Sequence, residues 1–338
     1  MTPYDELKQR LARGWNTWNT RSVLSHVLLP SGFALNLCLK EYADGQYLKE
    51  ALIGRQGRDQ EQIHPGPHAY DGAYTELTLA WRGIEIRVQS ATENDDLVLL
   101  ATPLRNQTKP ALLVAESGLL WNRPGIVQRD GDTLRATIPG QTLTIYATRA
   151  SVVETQIAAQ TPYLALPLDG PVGLSAGRHR TLAEIEAIVQ RQKVNHQAEI
   201  AAFGDLAEVY AAVQTCLAWD TIYDPSKQRV VSPVSRIWNV NSGGYVLFCW
   251  DNYFAAYLAA LGSRDLAYAN AIEITRERTD EGFVPNCAWA NGVTSRDRSQ
   301  PPVGALMVRE LYRRFGERWL LEALFDDLLA WGSNPYTP

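Results

Sequence analysis

Thr181-Leu182-Ala183-Glu184-Ile185-Glu186-Ala187-Ile188-Val189 is the stretch at which the chain changes its period. The spacing of Thr181 and Glu184 is that of a capping box, in which each side chain satisfies the other residue's backbone amide at a helix start. Leu182, Ile185, Ile188 and Val189 then recur three and four residues apart and define one apolar helix face. Upstream of this point the period is two. Phe33, Leu35, Leu37 and Leu39 alternate with Ala34, Asn36, Cys38 and Lys40, and Ile84, Ile86 and Val88 alternate with Glu85 and Arg87. Further β-type runs cover 97–101, 111–115, 133–138 and 142–148. Turn signals separate them, at Asn94-Asp95-Asp96, Arg123-Pro124-Gly125, Asp130-Gly131-Asp132 and Pro139-Gly140. Short strands at this spacing predict an antiparallel β-sandwich over residues 1–180.

Downstream the helical period persists. A second helix carries Leu206, Val209, Tyr210, Val213 and Leu217. A third runs from Trp250 to Leu261, with Gly262 just past its end, and a fourth covers Leu266–Thr275 behind Ser263 as N-cap. A fifth follows Pro301-Pro302 with Val303, Leu306, Leu311 and Phe315, and a sixth spans Trp319–Trp331. Strands followed by a run of helices predict an α+β chain with a helical domain over 181–338. The connections 223–247 and 278–300 are long and polar, the kind of loop that carries function on a helical scaffold.

The 338 residues suit two domains. A formal charge of -5 and the absence of a basic cluster argue against nucleic acid and anionic membranes as partners. No apolar run approaches the ~20 residues of a membrane span. The polar start Met1–Arg13 has no apolar signal-peptide core, and Cys38, Cys216, Cys249 and Cys287 lie far apart. A cytoplasmic protein with reduced thiols is therefore expected. Trp and Tyr number 10 and 15 against 7 Phe. Rings with one apolar face and a polar edge suit a small carbohydrate substrate, although large β-rich proteins use them in packing too. His64 and His68 lie in a Pro/Gly loop that cannot align them as a helical metal pair, so no metal is expected. No nucleotide-binding or nucleophile-elbow motif appears, and no cofactor is expected.

Three constellations carry candidate chemistry. In Cys249-Trp250-Asp251-Asn252-Tyr253-Phe254 an Asp lies within an aromatic run, where desolvation would raise its pKa as a general acid requires. The competing reading is a helix cap favoured by the helix dipole. In Ser295-Arg296-Asp297-Arg298-Ser299-Gln300-Pro301-Pro302 two Arg and a Gln offer donors to substrate oxygens, or form a solvated ion-paired loop. Trp289 lies just before it, in a stretch rich in amides and aromatics. The third, Gly14-Trp15-Asn16-Thr17-Trp18-Asn19, is either a stacking and hydrogen-bonding set or a packing lid.

Trp250-Asp251-Asn252-Tyr253-Phe254, Ala267-Tyr268-Ala269-Asn270, Gly282-Phe283-Val284-Pro285-Asn286 and Ser295–Pro302 together resemble bacterial glycoside hydrolase family 63 proteins, especially those similar to mannosylglycerate and glucosylglycerate hydrolases. Gly14-Trp15-Asn16-Thr17-Trp18 is similar to that group as well. The resemblance implies a β-sandwich joined to an (α/α)6 barrel and inverting hydrolysis of a small α-glucoside or α-mannoside. It implies Asp251 as general acid and a Glu from late in the barrel as base. It also implies that Trp15, Trp18, Asn19, Trp250, Asn252, Trp289, Arg296, Arg298 and Gln300 contact substrate. The sequence departs from the family in one respect. Such a barrel has twelve helices, whereas about six are legible here, and Glu273, Glu281 and Glu310 do not match the family's base. The expectation is an incomplete barrel, a fragment or frame-shifted chain whose C-terminal half is missing. Its alternative function is a catalytically inactive sugar-binding remnant. A sugar isomerase or epimerase is disfavoured, because His196 is the sole histidine after residue 180. Three placements are expected. Asp251 should begin a helix beside Trp250 and face the 278–300 loop. Trp15–Arg21 should join the same cleft. The helices at 303–315 and 319–331 should present an uncovered apolar face.

Overall fold

The computed structural model of the protein describes residues 1–55, 57, 59–106, 109–238 and 244–334. The closing 335–338 stretch, where the sequence abandons its helical pattern, and 239–243 in the long polar connection lie outside the described residues. Two compact units emerge: residues 13–211, and residues 212–338 together with 1–12. The helix α1 (Pro3–Leu11), with no counterpart in the sequence reading, belongs to the second unit. Thr2 and Asp5 form its capping box, and Tyr4 and Leu7 are its buried residues.

The first unit holds, among the described residues, strands β1 (Gly14–Asn16), β2 (Ser25–Leu29), β3 (Phe33–Glu41), β4 (Tyr47–Leu48), β5 (Gln62–His68), β6 (Tyr74–Trp81) and β7 (Ile84–Glu93). They continue as β8 (Asp96–Pro103), β9 (Ala111–Leu119), β10 (Ile126–Asp130), β11 (Thr133–Ile138), β12 (Gln141–Ala147), β13 (Tyr163–Pro167) and β14 (Val172–Ala176). One antiparallel sheet runs β1-β2-β3-β9-β13 with β4 beside β3; the other runs β10-β11-β12-β14-β8-β7-β6-β5. In β7 the alternation is kept, with Ile84, Ile86 and Val88 buried between half-buried Glu85 and Arg87. In β3 it is not: Phe33, Leu35, Leu37 and Leu39 are buried, and so are Ala34, Cys38 and Lys40. Gly14–Asn16 pairs with Leu29–Val27 as an edge strand, where the sequence shows no strand pattern.

The capping box at Thr181 is formed as expected and opens α2 (Leu182–Ala201). Ile185, Ile188 and Val189 pack on Tyr74, Ala91, Val98 and Leu100 of the eight-stranded sheet. This helix therefore belongs to the β unit, and the division departs from the 180/181 boundary read from the change of period. A change of period marks a change of local structure, whereas unit membership follows from which surface buries the apolar face.

The second unit continues with α3 (Ala207–Asp220), which spans the boundary, and the short hairpin β15 (Ile222–Asp224)–β16 (Arg229–Val231). Strand β17 (Val246–Phe248), α4 (Cys249–Ala259), α5 (Arg264–Arg276), strand β18 (Cys287–Trp289), α6 (Gly304–Phe315) and α7 (Arg318–Gly332) follow. Ser263 caps α5 by accepting from the Leu266 amide, as its sequence predicts. Every residue from Leu266 to Thr275 is buried, so α5 is the unit's central helix. Ile274, Leu247, Tyr253, Phe283, Met307 and Trp331 form its apolar core, with Tyr253 and Trp331 stacked at 5.8 Å. A Cβ on Gly304 would lie 2.6 Å from the Tyr253 ring, so the start of α6 requires glycine for close approach. Between α6 and α7 lies an apolar groove of about 500 Å³, and Phe325 and Leu329 on its wall are exposed. No single helix among the described residues is long and apolar enough to cross a membrane.

One buried titratable group in the β unit has a measurable consequence. His26 on β2 is 3% exposed, and burial pushes its pKa from 6.5 to about 4. Its charged form is disfavoured when folded, so the unfolded chain binds the extra proton between these values. The stability contribution is complete above pH 6.5 and is lost as pH falls towards 4, amounting to about 3 kcal/mol. Urea midpoints at pH 7 and pH 4.5 should converge in His26→Phe relative to the parent. An unchanged pH slope in the variant would locate the acid sensitivity elsewhere.

Candidate active site

The site grows from the β17–β18 pair. Val246, Leu247 and Phe248 lie opposite Trp289, Ala288 and Cys287. This pairing ties the start of α4 to a loop that is highly ordered in its own hydrogen bonds. The Ser295 amide donates to Cys287 O at 3.0 Å, the Cys287 amide to Ser295 Oγ at 3.1 Å, and the Trp289 amide to Val293 O at 2.8 Å. Asn286 N donates to Arg298 O at 3.1 Å, closing the loop further along.

Phe248 occupies the N-cap of α4 and has no side-chain acceptor to offer the first amides. Distant residues supply them. Cys249 N donates to Asn286 O at 3.1 Å, and Trp250 N donates to Gln300 Oε1 at 2.8 Å. A helix start without its own cap is thus satisfied by the loop 50 residues downstream. Asp251 lies in this first turn, half-buried, beside Trp250, which is 39% exposed. Burial raises the Asp251 carboxyl above the ordinary aspartate value, against the opposing pull of its own amide and the Trp250 side chain. The helix N-terminus also favours the carboxylate. Desolvation wins, and the protonated form is retained to higher pH than on an open surface.

The remaining predicted residues separate by environment. Gln300 is half-buried and is used as the cap of α4. Trp289 is half-buried on β18. Arg296 and Arg298 are exposed, and Arg298 pairs with Asp297 at 2.9 Å on the surface. Asn252 is only 1% exposed, and its Nδ2 donates to Ser232 O at 3.2 Å. One step along a helix turns the side chain by ~100°, so Asn252 faces inward where Asp251 does not. In the β unit Trp15, Trp18 and Asn19 are all buried. Trp15 meets Phe33 edge-on at 5.9 Å, and Asn19 donates to Ser25 Oγ at 2.9 Å.

Several participants escaped the sequence reading. Ser232 is held from four sides: its amide by Asn270 Oδ1 (2.8 Å), its hydroxyl by Thr221 (2.9 Å) and Asn270 Nδ2 (3.2 Å), and its carbonyl by Asn252. Asp220 precedes Thr221 at the end of α3. Burial pushes its carboxyl up to about 6, against the Arg236 guanidinium. A signal for Asp220 was available, since Trp219-Asp220 repeats the dipeptide Trp250-Asp251. Trp238 is exposed and meets Phe248 edge-on at 5.2 Å.

Residues 244–334, which contain all of α4 to α7, match the family model of the mannosylglycerate hydrolase MGH1-like glycoside hydrolase domain. Over this segment the chain is similar to a glycoside hydrolase domain. No curated protein matches the sequence. Among solved structures, a family GH92 α-mannosidase from Bacteroides thetaiotaomicron in complex with mannoimidazole is similar at TM-score 0.40 and 9% identity, covering 95% of this chain and 52% of its own. A chain assigned as a kojibiose phosphorylase from the human microbiome is similar at TM-score 0.33 and 10% identity, covering 93% and 50%. The chain spans about half the length of these two structures.

Proposed function

We propose that this glycoside hydrolase-type protein takes part in the inverting hydrolysis of a small α-glucoside or α-mannoside, with Asp251 as general acid. The observation that carries the reading is the state of Asp251. It is a half-buried carboxyl held towards its protonated form, in a helix turn capped from the matched segment, beside an exposed Trp. In this reading Asp251 gives its proton to the glycosidic oxygen as the bond to the anomeric carbon breaks. Trp250 stacks on the apolar face of the ring. Arg296 and Arg298 reach the aglycone, and Trp289 borders the same space. Of the β unit's residues Asn19 is retained as a substrate contact, because Trp15 and Trp18 are sealed in packing at 3% and 2% exposure. A water on the opposite face needs a second carboxylate about 6.5–9.5 Å from the first. Asn252 and Gln300 act on Asp251 by fixing α4 rather than by touching sugar. The helices of the second unit are proposed as part of an (α/α)6 barrel, with the two sheets of the first as a sandwich.

A panel of α-glucosides and α-mannosides, offered to this chain and to any longer product that contains it, tests the proposal. Proton NMR in the first minutes should show the β-anomer as the sugar released. Release of the α-anomer would exclude inversion. No turnover of any member by any product would favour the sugar-binding remnant.

A further inference from the structure

The six-stranded sheet of the β unit carries a pocket of about 220 Å³ whose wall includes Asn19, the one residue it shares with the proposed substrate contacts. Its floor follows from strand register. Ser25 on β2 lies opposite Asn36 on β3, and Asn36 lies opposite Glu116 on β9, so the three form one row on one face. Two residues further along the same face, Ala34 lies opposite Gly118. Small residues here leave the hollow, and Thr161 closes its far side: a Cβ on Gly118 would stand 3.2 Å from the Thr161 methyl. Arg21, Lys49 and Glu50 complete the wall.

The chemistry of the wall selects the ligand. Two cations, Arg21 and Lys49, are matched by two carboxylates, Glu50 and Glu116, so neither an anion nor a cation is favoured by charge. Ser25 and Glu116 are buried, and the Glu116 carboxylate is held by the Tyr47 hydroxyl. Asn36 Nδ2 donates to Lys49 O at 2.9 Å, which fixes this amide in the wall. A hydroxyl both donates and accepts, so a polyol answers carboxylates, cations and amides together. The volume lies below the ~300–1,000 Å³ of sites for larger ligands, which limits the occupant to one small ring.

We propose that this pocket is a binding site for a single neutral monosaccharide, carried by the β unit and independent of the chemistry assigned to Asp251. Titration of the protein with glucose, mannose and galactose, followed by saturation-transfer NMR, should reveal binding in the millimolar range. Gly118→Val and Thr161→Tyr add bulk at the end of the pocket where the two residues meet, and should each weaken that binding by about tenfold or more. Trp250→Ala should leave it in place, which separates this site from the proposed catalytic one. Bound sugar should also slow the acetylation of exposed Lys49 relative to the other lysines, a readout in the parent protein that needs no variant. Absence of monosaccharide binding would overturn the proposal. So would binding unaltered in a folded blocking variant, Lys49 left unprotected at saturation, or inorganic phosphate bound in preference to sugar.

Discussion

Asp251→Asn should lower hydrolysis of alkyl α-glycosides by about 10²–10⁴-fold in whichever product of this sequence is active. Asn keeps the shape of the side chain and loses the proton. The same half-burial that raises the Asp251 carboxyl means that the neutral amide carries no added desolvation penalty, so the melting temperature should not fall. Leaving-group dependence separates the role of acid from a general disturbance. Fluoride departs with little need for protonation, so an α-glycosyl fluoride should lose far less than an alkyl glycoside. The parent's activity should decline on the alkaline side at a pH above the ordinary aspartate value, because the acid must be protonated to act. Equal losses on both substrates, or no loss on either, would remove Asp251 from the chemistry.

Arg229→Met should destabilise the helical unit by about 3–5 kcal/mol, a large part of the stability of an ordinary domain. Arg229 is 1% exposed and lies among Asp224 (3.5 Å), Glu273 (3.2 Å) and Glu277 (2.7 Å). It also donates to the Tyr245 hydroxyl at 2.8 Å, and that hydroxyl donates to Asp224 at 2.5 Å. The Tyr4 hydroxyl of α1 donates to Glu273 at 2.5 Å, and Lys227 pairs with Glu277. One guanidinium therefore joins α1, the β15–β16 hairpin and α5. Methionine fills much of the space but leaves buried carboxylates without their shared cation, and that uncompensated charge is the source of the loss. Arg229→Lys retains the charge without the planar fork and should lose less. Denaturation of both variants beside the parent gives the order. A methionine variant as stable as the parent would mean that the carboxylates take up protons or water at little cost.

What was legible in the sequence is what a few neighbouring residues decide together. Thr181 with Glu184 and Ser263 with the Leu266 amide are three-residue arrangements, and both start helices as read. The placement of Asp251 in a first helical turn beside Trp250 was legible for the same reason. Gly262 is a local misreading: α4 ends at Ala259, and Ala260 remains right-handed, so no left-handed glycine closes the helix.

The remainder depended on partners far apart in the chain. Whether α2 belongs with strands or helices was decided by Tyr74, Ala91, Val98 and Leu100, which bury its apolar face. Gln300 was read as a sugar contact, yet α4 lacks a cap of its own, and an orphan amide there takes the nearest acceptor the fold supplies. Asn252 has the same composition cue as any exposed amide, and helix phase turned it inward to Ser232. Arg229 reads as a surface charge in the hairpin sequence and is instead the centre of a buried network, because Glu273 meets it across 44 residues and is itself held by Tyr4 across 269. By itself the sequence determined the type of the longer elements, the capped helix starts and the Trp-Asp motif, whereas α1, β1 and the short strands β15–β18 escaped it, since backbone propensity and capping act over three or four residues. Tertiary structure alone decided which polar side chains are buried and which amide each satisfies, since desolvation depends on what the completed fold brings against them.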